Sequence, residues 1–410
     1  MNDAATFLIY VSLFAALYAE VFALLAYFGG TAKTRRELSP TQHYPNVAIV
    51  VPCFNEGTTV GGTVDSLLAL EYPYEKLSLI LVNDGSTDTT REVMEQYRNN
   101  SRIHIIHKEN GGKHTGLNAG IAYAQNAEFI GCLDADSFVA PSALKEIMSH
   151  FDDPKVGAVT ASLVVYKPKN AIEHMQYAEY LLGVTLRHIF SSLDALYVTP
   201  GPFTIFRHAM FNDIGTFKSA HNTEDMEIAM RMQKTGWKIG NAPRAQVFTK
   251  APRTAFKLIK QRTRWTTGFI RNGYDYRGLF FNSQYGVLGL LVLPMAGVSI
   301  LAALTLFFWS IYKMLQQIWK AISYVRAIPL HFHVPTLDWF YAPISTIGLL
   351  SLVAIAATVL FMTLGARIAK TEGNFGPSIV WYVLLYSIIA PLWLIRSVID
   401  VLLGVRRSWR

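Results

Sequence analysis

Two aspartates one residue apart, Asp134 and Asp136, follow directly on the apolar run 128–133. Carboxylates at that spacing offer the hard oxygen ligands that a divalent cation bridging a diphosphate requires. The same residues could simply open a turn and a helix, since Ser137 and Pro141 suit a first helical turn. Two acids after a buried strand are costly without a partner, which favours the cation. A second acidic group, Thr223-Glu224-Asp225, starts a segment with helical spacing. Thr223 suits an N-cap and the acids suit the positive end of a helix. A carboxylate there can equally be aimed into a cleft. A third group, Gln261-Arg262-Thr263-Arg264-Trp265, is basic and aromatic. It reads either as an interfacial helix with Trp at headgroup level, or as a clamp. In the clamp, Arg264 holds a diphosphate with its fork of donors and Trp265 offers a flat face to a sugar.

Weaker signals lie between these groups. Asp84-Gly85 is an ordinary turn pair, but it follows an apolar run, where a nucleotide can be met. Lys113 follows Gly111-Gly112 and can reach phosphate oxygens. The stretch 110–120 carries little side-chain bulk, which suits close backbone approach to a ligand. It has neither the dinucleotide fingerprint nor the P-loop pattern, which disfavours hydride transfer and P-loop chemistry. His104 and His107 read as strand or loop residues. His331 and His333 have nothing nearby to complete a metal site.

The elements that must position these residues alternate. Runs 47–52, 77–82, 103–106 and 128–133 read as buried strands. Helical spacing appears at 58–70, from a cap at Thr87 or Asp88 through Gln96, and at about 114–125. Such alternation predicts a parallel, doubly wound sheet. Ligands bind such sheets at the carboxyl ends of the strands. Asn55, Glu56, Asp84, Asp134 and Asp136 all fall at strand carboxyl ends.

Composition adds the surroundings. Hydrophobic residues make up 51% of the 410 residues, and mean hydropathy is +0.25. The apolar residues crowd into 5–28 and 285–404. Residues 5–28 are long enough to span a bilayer, and the absence of a basic start argues against a cleaved signal peptide. Lys33, Arg35 and Arg36 follow, so the charge rule puts the next domain in the cytoplasm. Further spans are expected at 286–310, 341–365 and 378–404. The stretch 311–330 suits an interfacial helix. Three crossings after a cytoplasmic domain would put Arg406, Arg407 and Arg410 outside, against the charge rule. Either 378–404 breaks at Pro391 or the rule fails. Glu20, inside the first span, needs a partner or a cavity, and Arg396 is a candidate. Lys and Arg number 37 against 29 Asp and Glu. No nucleic-acid module accompanies that excess, so membrane flanks and a phosphate-rich substrate account for it and no nucleic-acid partner is expected. Cys53 and Cys132 read as buried free thiols.

The motifs VPCFNE (51–56), VNDGSTD (82–88), NGGKHTGLNAG (110–120), LDADS (133–137), TED (223–225) and QRTRW (261–265) together resemble the membrane branch of the family 2 glycosyltransferases. That branch holds the cellulose, chitin, hyaluronan and poly-N-acetylglucosamine synthases. The resemblance implies an α/β GT-A-type (Rossmann-like) cytoplasmic domain combined with transmembrane and interfacial helices. Its divisions fall at 1–30 (membrane helix), 31–250 (catalytic domain), 251–284 (interfacial segment) and 285–410 (C-terminal membrane region), in a multi-pass plasma-membrane protein. Asp84 would contact the uridine, with Asn55 and Glu56 nearby and Lys113 near the diphosphate. Asp134 and Asp136 would hold Mg²⁺ or Mn²⁺ and the donor sugar. Asp225 would be the general base, beside Glu224 on the acceptor side. Gln261, Arg264 and Trp265 would bind diphosphate and acceptor sugar. The implied reaction is inverting transfer from a UDP-sugar, N-acetylglucosamine being the first choice and glucose the second, to a growing β-linked polysaccharide. A homo-oligomer or a small membrane partner would complete a pore. Transfer of one sugar to a lipid acceptor is the alternative, and a catalytically silent scaffold predicts loss of the motif acids, which are all present. Gly201-Pro202-Phe203-Thr204 stands where relatives carry an acceptor loop. Pro202 departs from the usual small residue, so no site residue is assigned there.

Overall fold

The computed structural model describes residues 3–34, 44–327, 346–371 and 375–405. Arg35, Arg36, His331, His333, Arg406, Arg407, Arg410 and the side chain of Lys33 lie outside the described residues.

The core is one eight-stranded sheet in the order β3-β2-β1-β4-β7-β6-β8-β5. Its first half comprises β1 (Val47–Cys53), β2 (Leu77–Asp84), β3 (Ile103–Lys108) and β4 (Phe129–Cys132). These four strands run parallel, because each of the first three is followed by a helix that crosses back: α2 (Val60–Leu68), α3 (Thr90–Glu95) and α4 (Lys113–Tyr123). Continuous β-branched runs suit strands buried on both faces, and β1 and β2 are buried nearly throughout. Two apolar layers result. One gathers Ile49, Val51, Leu67 and Leu79 with α2, and the other gathers Val50, Val82, Leu117 and Ile121 with α4.

The second half was not legible as parallel repeats, and it is mixed. It comprises β5 (Ser137–Val139), α5 (Ala143–Met148), β6 (Val156–Val165), α6 (Ala171–Ser192), β7 (Thr204–Arg207), α7 (His208–Ile214), α8 (Glu224–Lys234) and β8 (Lys238–Thr249). β7 lies antiparallel to both β4 and β6. The turn after Asp136 leads into β5 rather than into a helix, because Ser137–Val139 pairs with β8.

Four helices among the described residues are long and apolar enough to cross a bilayer: α1 (Asp3–Thr34), α10 (Leu293–Ala327), α11 (Thr346–Ile368) and α12 (Gly376–Leu402). Before them, α9 (Ala255–Asp275) carries the QRTRW motif. Residues 311–327, expected as a separate interfacial helix, continue α10 without a break. Helix α12 also runs unbroken through Pro391. It keeps to the catalytic domain from end to end. Ser378, in its first turn, bonds to His174 of α6 at 2.9 Å. Ser397 donates to the Thr263 carbonyl of α9 at 3.3 Å, and the Asp400 carbonyl accepts from Arg271 at 3.2 Å. Its other face, with Trp381, Leu384, Ile388, Leu392 and Ile399, is exposed and apolar.

Helix α6 joins the two regions. Gly365 of α11 has no side chain, so the Leu181 carbonyl of α6 comes close enough to exclude any Cβ. Thr185 donates to the Phe361 carbonyl at 2.7 Å. Glu20 does not meet Arg396. Its Oε1 accepts from Thr358 of α11 at 3.0 Å, an exchange available because α1 packs on α11.

Candidate active site

The loops at the carboxyl ends of β1 and β2 are tied to each other. Asn55 sits at φ 57°, a left-handed conformation that Asn tolerates better than most residues. Its side-chain oxygen accepts from the Thr87 N–H at 2.9 Å, and its own N–H donates to Ser86 at 3.0 Å. Asn55 therefore pins two loops and is not among the residues lining the cavity described below. Glu56 does line it, and its Oε2 accepts from Thr59 at 2.7 Å. Asp84 is only 2% exposed. Its carboxylate accepts from the Gly111 and Gly112 N–H groups at 3.1 and 3.0 Å and pairs with Lys108. Asp84 thus shapes the glycine loop ahead of α4. Gly112, at φ 90°, makes that turn possible and delivers Lys113 into the first turn of α4.

Lys113 forms an ion pair with Asp134. Burial, the largest single influence, opposes its charge, but the Asp134, Asp225 and Glu224 carboxylates together hold the ammonium above its ordinary range. Asp136 carries the opposite stress. Burial first, then the Asp134 and Glu56 carboxylates, push it up to about 6. Gly201 closes this corner. A Cβ there would lie 2.8 Å from Lys113 Nζ and 3.0 Å from Asp134 Oδ2, so only glycine fits without displacing them.

Asp225 stands in the first turn of α8. Thr223 occupies the N-cap position but does not cap with its side chain. Its hydroxyl donates to the Ala220 carbonyl and accepts from Asn272 of α9 at 2.9 Å. Gly268 lets α9 press against Thr223 at that point, where any side chain would clash. This contact brings the QRTRW helix to the acids. Arg264 donates to the Asn222 carbonyl at 3.0 Å. The Asp225 carbonyl is gripped by the Thr199 N–H and hydroxyl at 3.1 and 2.8 Å. Burial raises the carboxyls of both Glu224 and Asp225, with Lys113 and Arg264 pulling the other way. Arg262, on the same helix, is buried, pairs with Glu179 of α6 at 2.6 Å and stacks 4.2 Å from the Trp265 ring centre.

All these groups converge on a cavity of ≈ 1320 Å³. Glu56, Asp84, Lys113, Asp134, Asp136, Glu224, Asp225, Gln261, Arg264 and Trp265 line it. Ten of the expected residues therefore meet in one place, and only Asn55 stands behind it.

The sequence from 48 to 215 matches the family model described as Glycosyl transferase family 2. Residues 48–215 are what the chain shares with that family model. Among curated proteins, the poly-beta-1,6-N-acetyl-D-glucosamine synthase of Staphylococcus epidermidis is 30% identical over 269 residues, 64% of each chain. The protein of the same description from Staphylococcus aureus matches to the same extent. The chain thus spans just under two thirds of the length of these relatives. Among solved structures, a mannosyltransferase from Pyrobaculum calidifontis, in complex with GDP-Man and Mn²⁺, superposes with a TM-score of 0.60 over 97% of this chain and 99% of that one, at 17% identity. That likeness establishes the shared fold. The family match ends before Asp225 and the QRTRW motif, which the tertiary structure nevertheless brings to the domain's aspartates.

Three features of the site have no clear signal in the sequence reading. Gly201 was passed over because of Pro202, although a small residue ahead of a strand is a weak signal. The pairing of Arg262 with Glu179 joins residues far apart in sequence, and no local pattern marks it. Arg187 of α6, which also lines the cavity, sits in an unremarkable helical stretch.

Proposed function

We propose that this protein is a membrane-embedded, inverting glycosyltransferase. It transfers sugar from a UDP-sugar, UDP-N-acetylglucosamine by preference, to a growing β-linked polysaccharide. The observation that carries this reading is the convergence of Asp134, Asp136, Asp225, Arg264 and Trp265 in one cavity of a chain that matches the family 2 model. The sugar and the polymer rest on the 30% identity to the staphylococcal synthases.

Asp134 and Asp136 fit a divalent cation by the chemistry of their donors. They are hard oxygen ligands, and the crowding that lifts Asp136 is the repulsion a cation relieves. No group of three or more metal-ligating side chains occurs among the described residues, so diphosphate oxygens would complete a Mg²⁺ or Mn²⁺ shell. The bound metal would stabilise charge on the departing diphosphate. Lys113 and Arg264 add positive charge on the same side. Asp225 takes the proton of the attacking acceptor hydroxyl, and burial favours that uptake by raising its carboxyl. Trp265, stiffened by Arg262, gives the acceptor sugar a flat face. One displacement converts an α-linked donor into a β-linked product.

The domain ends of α1, α10 and α11 support three crossings, with α12 lying in the interface. That count returns the chain end to the domain's side and removes the conflict with the charge rule. A cytoplasmic domain in the plasma membrane is the corresponding placement.

The test is incorporation of labelled sugar by the protein in nanodiscs with Mg²⁺ or Mn²⁺. UDP-N-acetylglucosamine, UDP-glucose and UDP-glucuronate are offered singly and in pairs, and the products are sized. A long product from UDP-N-acetylglucosamine alone, lost in EDTA and restored by metal, is expected. A short, lipid-extractable product would overturn the polymer reading, and full activity in EDTA would remove the metal from Asp134 and Asp136.

A further inference from the structure

Arg187, which lines the cavity, has no acidic partner among the described residues. The Nε and Nη2 atoms of Arg187 are buried and bond to nothing among the described residues. The other buried arginines nearby are compensated, Arg262 by Glu179 at 2.6 Å and Arg231 by Glu227 at 2.8 Å. Burial lowers the Arg187 guanidinium to about 10, and the only group that pulls it back is the Tyr180 hydroxyl. It therefore remains charged at neutral pH. A buried cation with open donors is among the costliest groups a fold can carry unless an anion joins it.

The neighbours point the same way. The hydroxyls of Thr263 and Thr267, on adjacent turns of α9, are also buried without a hydrogen-bond partner. Both residues line the same cavity, together with Tyr180 and Arg187. Gly183, one turn before Arg187, would place a Cβ 3.0 Å from Arg187 Nη1, so its lack of a side chain leaves the guanidinium room. None of these groups belongs to the donor-side loops. They sit on α6 and α9, and α6 is the helix on which α11 and α12 pack. Asp225 lines the same cavity as these groups.

We propose that Arg187, with Thr263 and Thr267, binds a phosphate group carried by the acceptor. The guanidinium gives two parallel donors to phosphate oxygens, and the threonine hydroxyls supply further ones. The phosphate anchors the acceptor while one of its hydroxyls is presented to Asp225. Phosphate of this kind can link a sugar to a lipid or can substitute the glycan itself. The proposal rests on the glycosyltransferase reading and specifies its acceptor.

The experiment compares acceptors that differ only in phosphate: octyl N-acetylglucosaminide, N-acetylglucosamine 1-(octyl phosphate), and octyl N-acetylglucosaminide 6-phosphate. Charge-assisted hydrogen bonds of this type contribute roughly tenfold or more in affinity. The intact protein in nanodiscs is expected to use one phosphorylated acceptor with a KM at least about tenfold below that of the neutral one. A preference for the 1-phosphodiester assigns the phosphate to a lipid linkage, and a preference for the 6-phosphate assigns it to the glycan. Arg187→Gln and Thr267→Val should each weaken that preference and leave the donor KM unchanged, while Arg187→Lys keeps part of it. Equal use of all three acceptors by the wild type would overturn the proposal, and so would a raised donor KM in Arg187→Gln. The melting shift produced by the phosphodiester is read in parallel. If no acceptor is glycosylated and no donor is consumed, the glycosyltransferase reading fails. A melting shift lost in Arg187→Gln would still establish the phosphate site.

Discussion

The proposed donor side and the proposed acceptor side of the cavity are built differently. Around the ends of β1 to β3, the key polar groups are already spoken for. Asp84 is saturated by two glycine N–H groups and Lys108, and Asn55 by Thr87 and Ser86. Along α6 and α9, by contrast, Arg187, Thr263 and Thr267 leave buried donors open. The first region is a rigid frame whose own hydrogen bonds fix its shape before any ligand arrives. The second is completed only by a ligand. Preorganisation where a common nucleotide binds, and open valence where a particular acceptor binds, is a division suited to a fold that serves many acceptors.

Three residues, Asp225, Gly201 and Asp84, carry four expected effects on this contrast. The largest effect is expected at Asp225, which belongs to the acceptor side. Asp225→Asn should cut transfer by about 10²–10⁴-fold while UDP binding, measured by calorimetry, stays near that of the wild type. Parallel loss of UDP binding would move Asp225 to the donor side. Next comes Gly201, where the two sides meet. Gly201→Ala should displace Lys113 or Asp134 and cost about 10–10²-fold in kcat, with little change in melting temperature. Unchanged kcat would mean that this corner is looser than its packing indicates. Third, Asp84→Asn removes an acceptor from the glycine loop. It should cost about 1–3 kcal/mol in chemical denaturation and raise the donor KM more than it lowers kcat. A lower kcat at unchanged KM would contradict a framing role.

The smallest effect is a pH shift. Asp225 is raised by burial above the ordinary carboxylate range. Activity should therefore fall as pH drops through that elevated region, and the acid limb of kcat/KM should lie higher than for an exposed carboxylate. The stability sign is opposite. A carboxyl raised in the folded state favours folding when protonated, so its contribution is complete below the ordinary carboxylate range and is lost as pH rises through the raised value. The substrate-free protein should gain melting temperature on mild acidification through this group, and Asp225→Asn should remove that gain.

Much of the donor side was legible in the sequence because its information is local. Short β-branched runs, each ended by Asn-Glu, Asp-Gly or Asp-Ala-Asp, locate strand ends, and in a parallel sheet strand ends are where ligands bind. Glu56, Asp84, Lys113, Asp134 and Asp136, read there, fall within one cavity, with Asn55 behind it, because a strand's exit fixes its next residues in space. The long apolar helices α1, α10, α11 and α12 were readable for an equally local reason, since an unbroken apolar run long enough to cross a bilayer is visible in the sequence itself.

What the sequence could not decide depends on contacts between distant segments. The docking of α9 on α8 rests on Gly268 meeting Thr223 and on Asn272 reaching its hydroxyl. The place of Gly201 is defined by Lys113 and Asp134, and the partner of Glu20 proved to be Thr358. By composition α12 is a membrane span, yet Ser378, Ser397 and the Asp400 carbonyl hold it along α6 and α9. Apolarity determines that a helix avoids water. Which helices it packs against is decided only by polar contacts with residues distant in sequence.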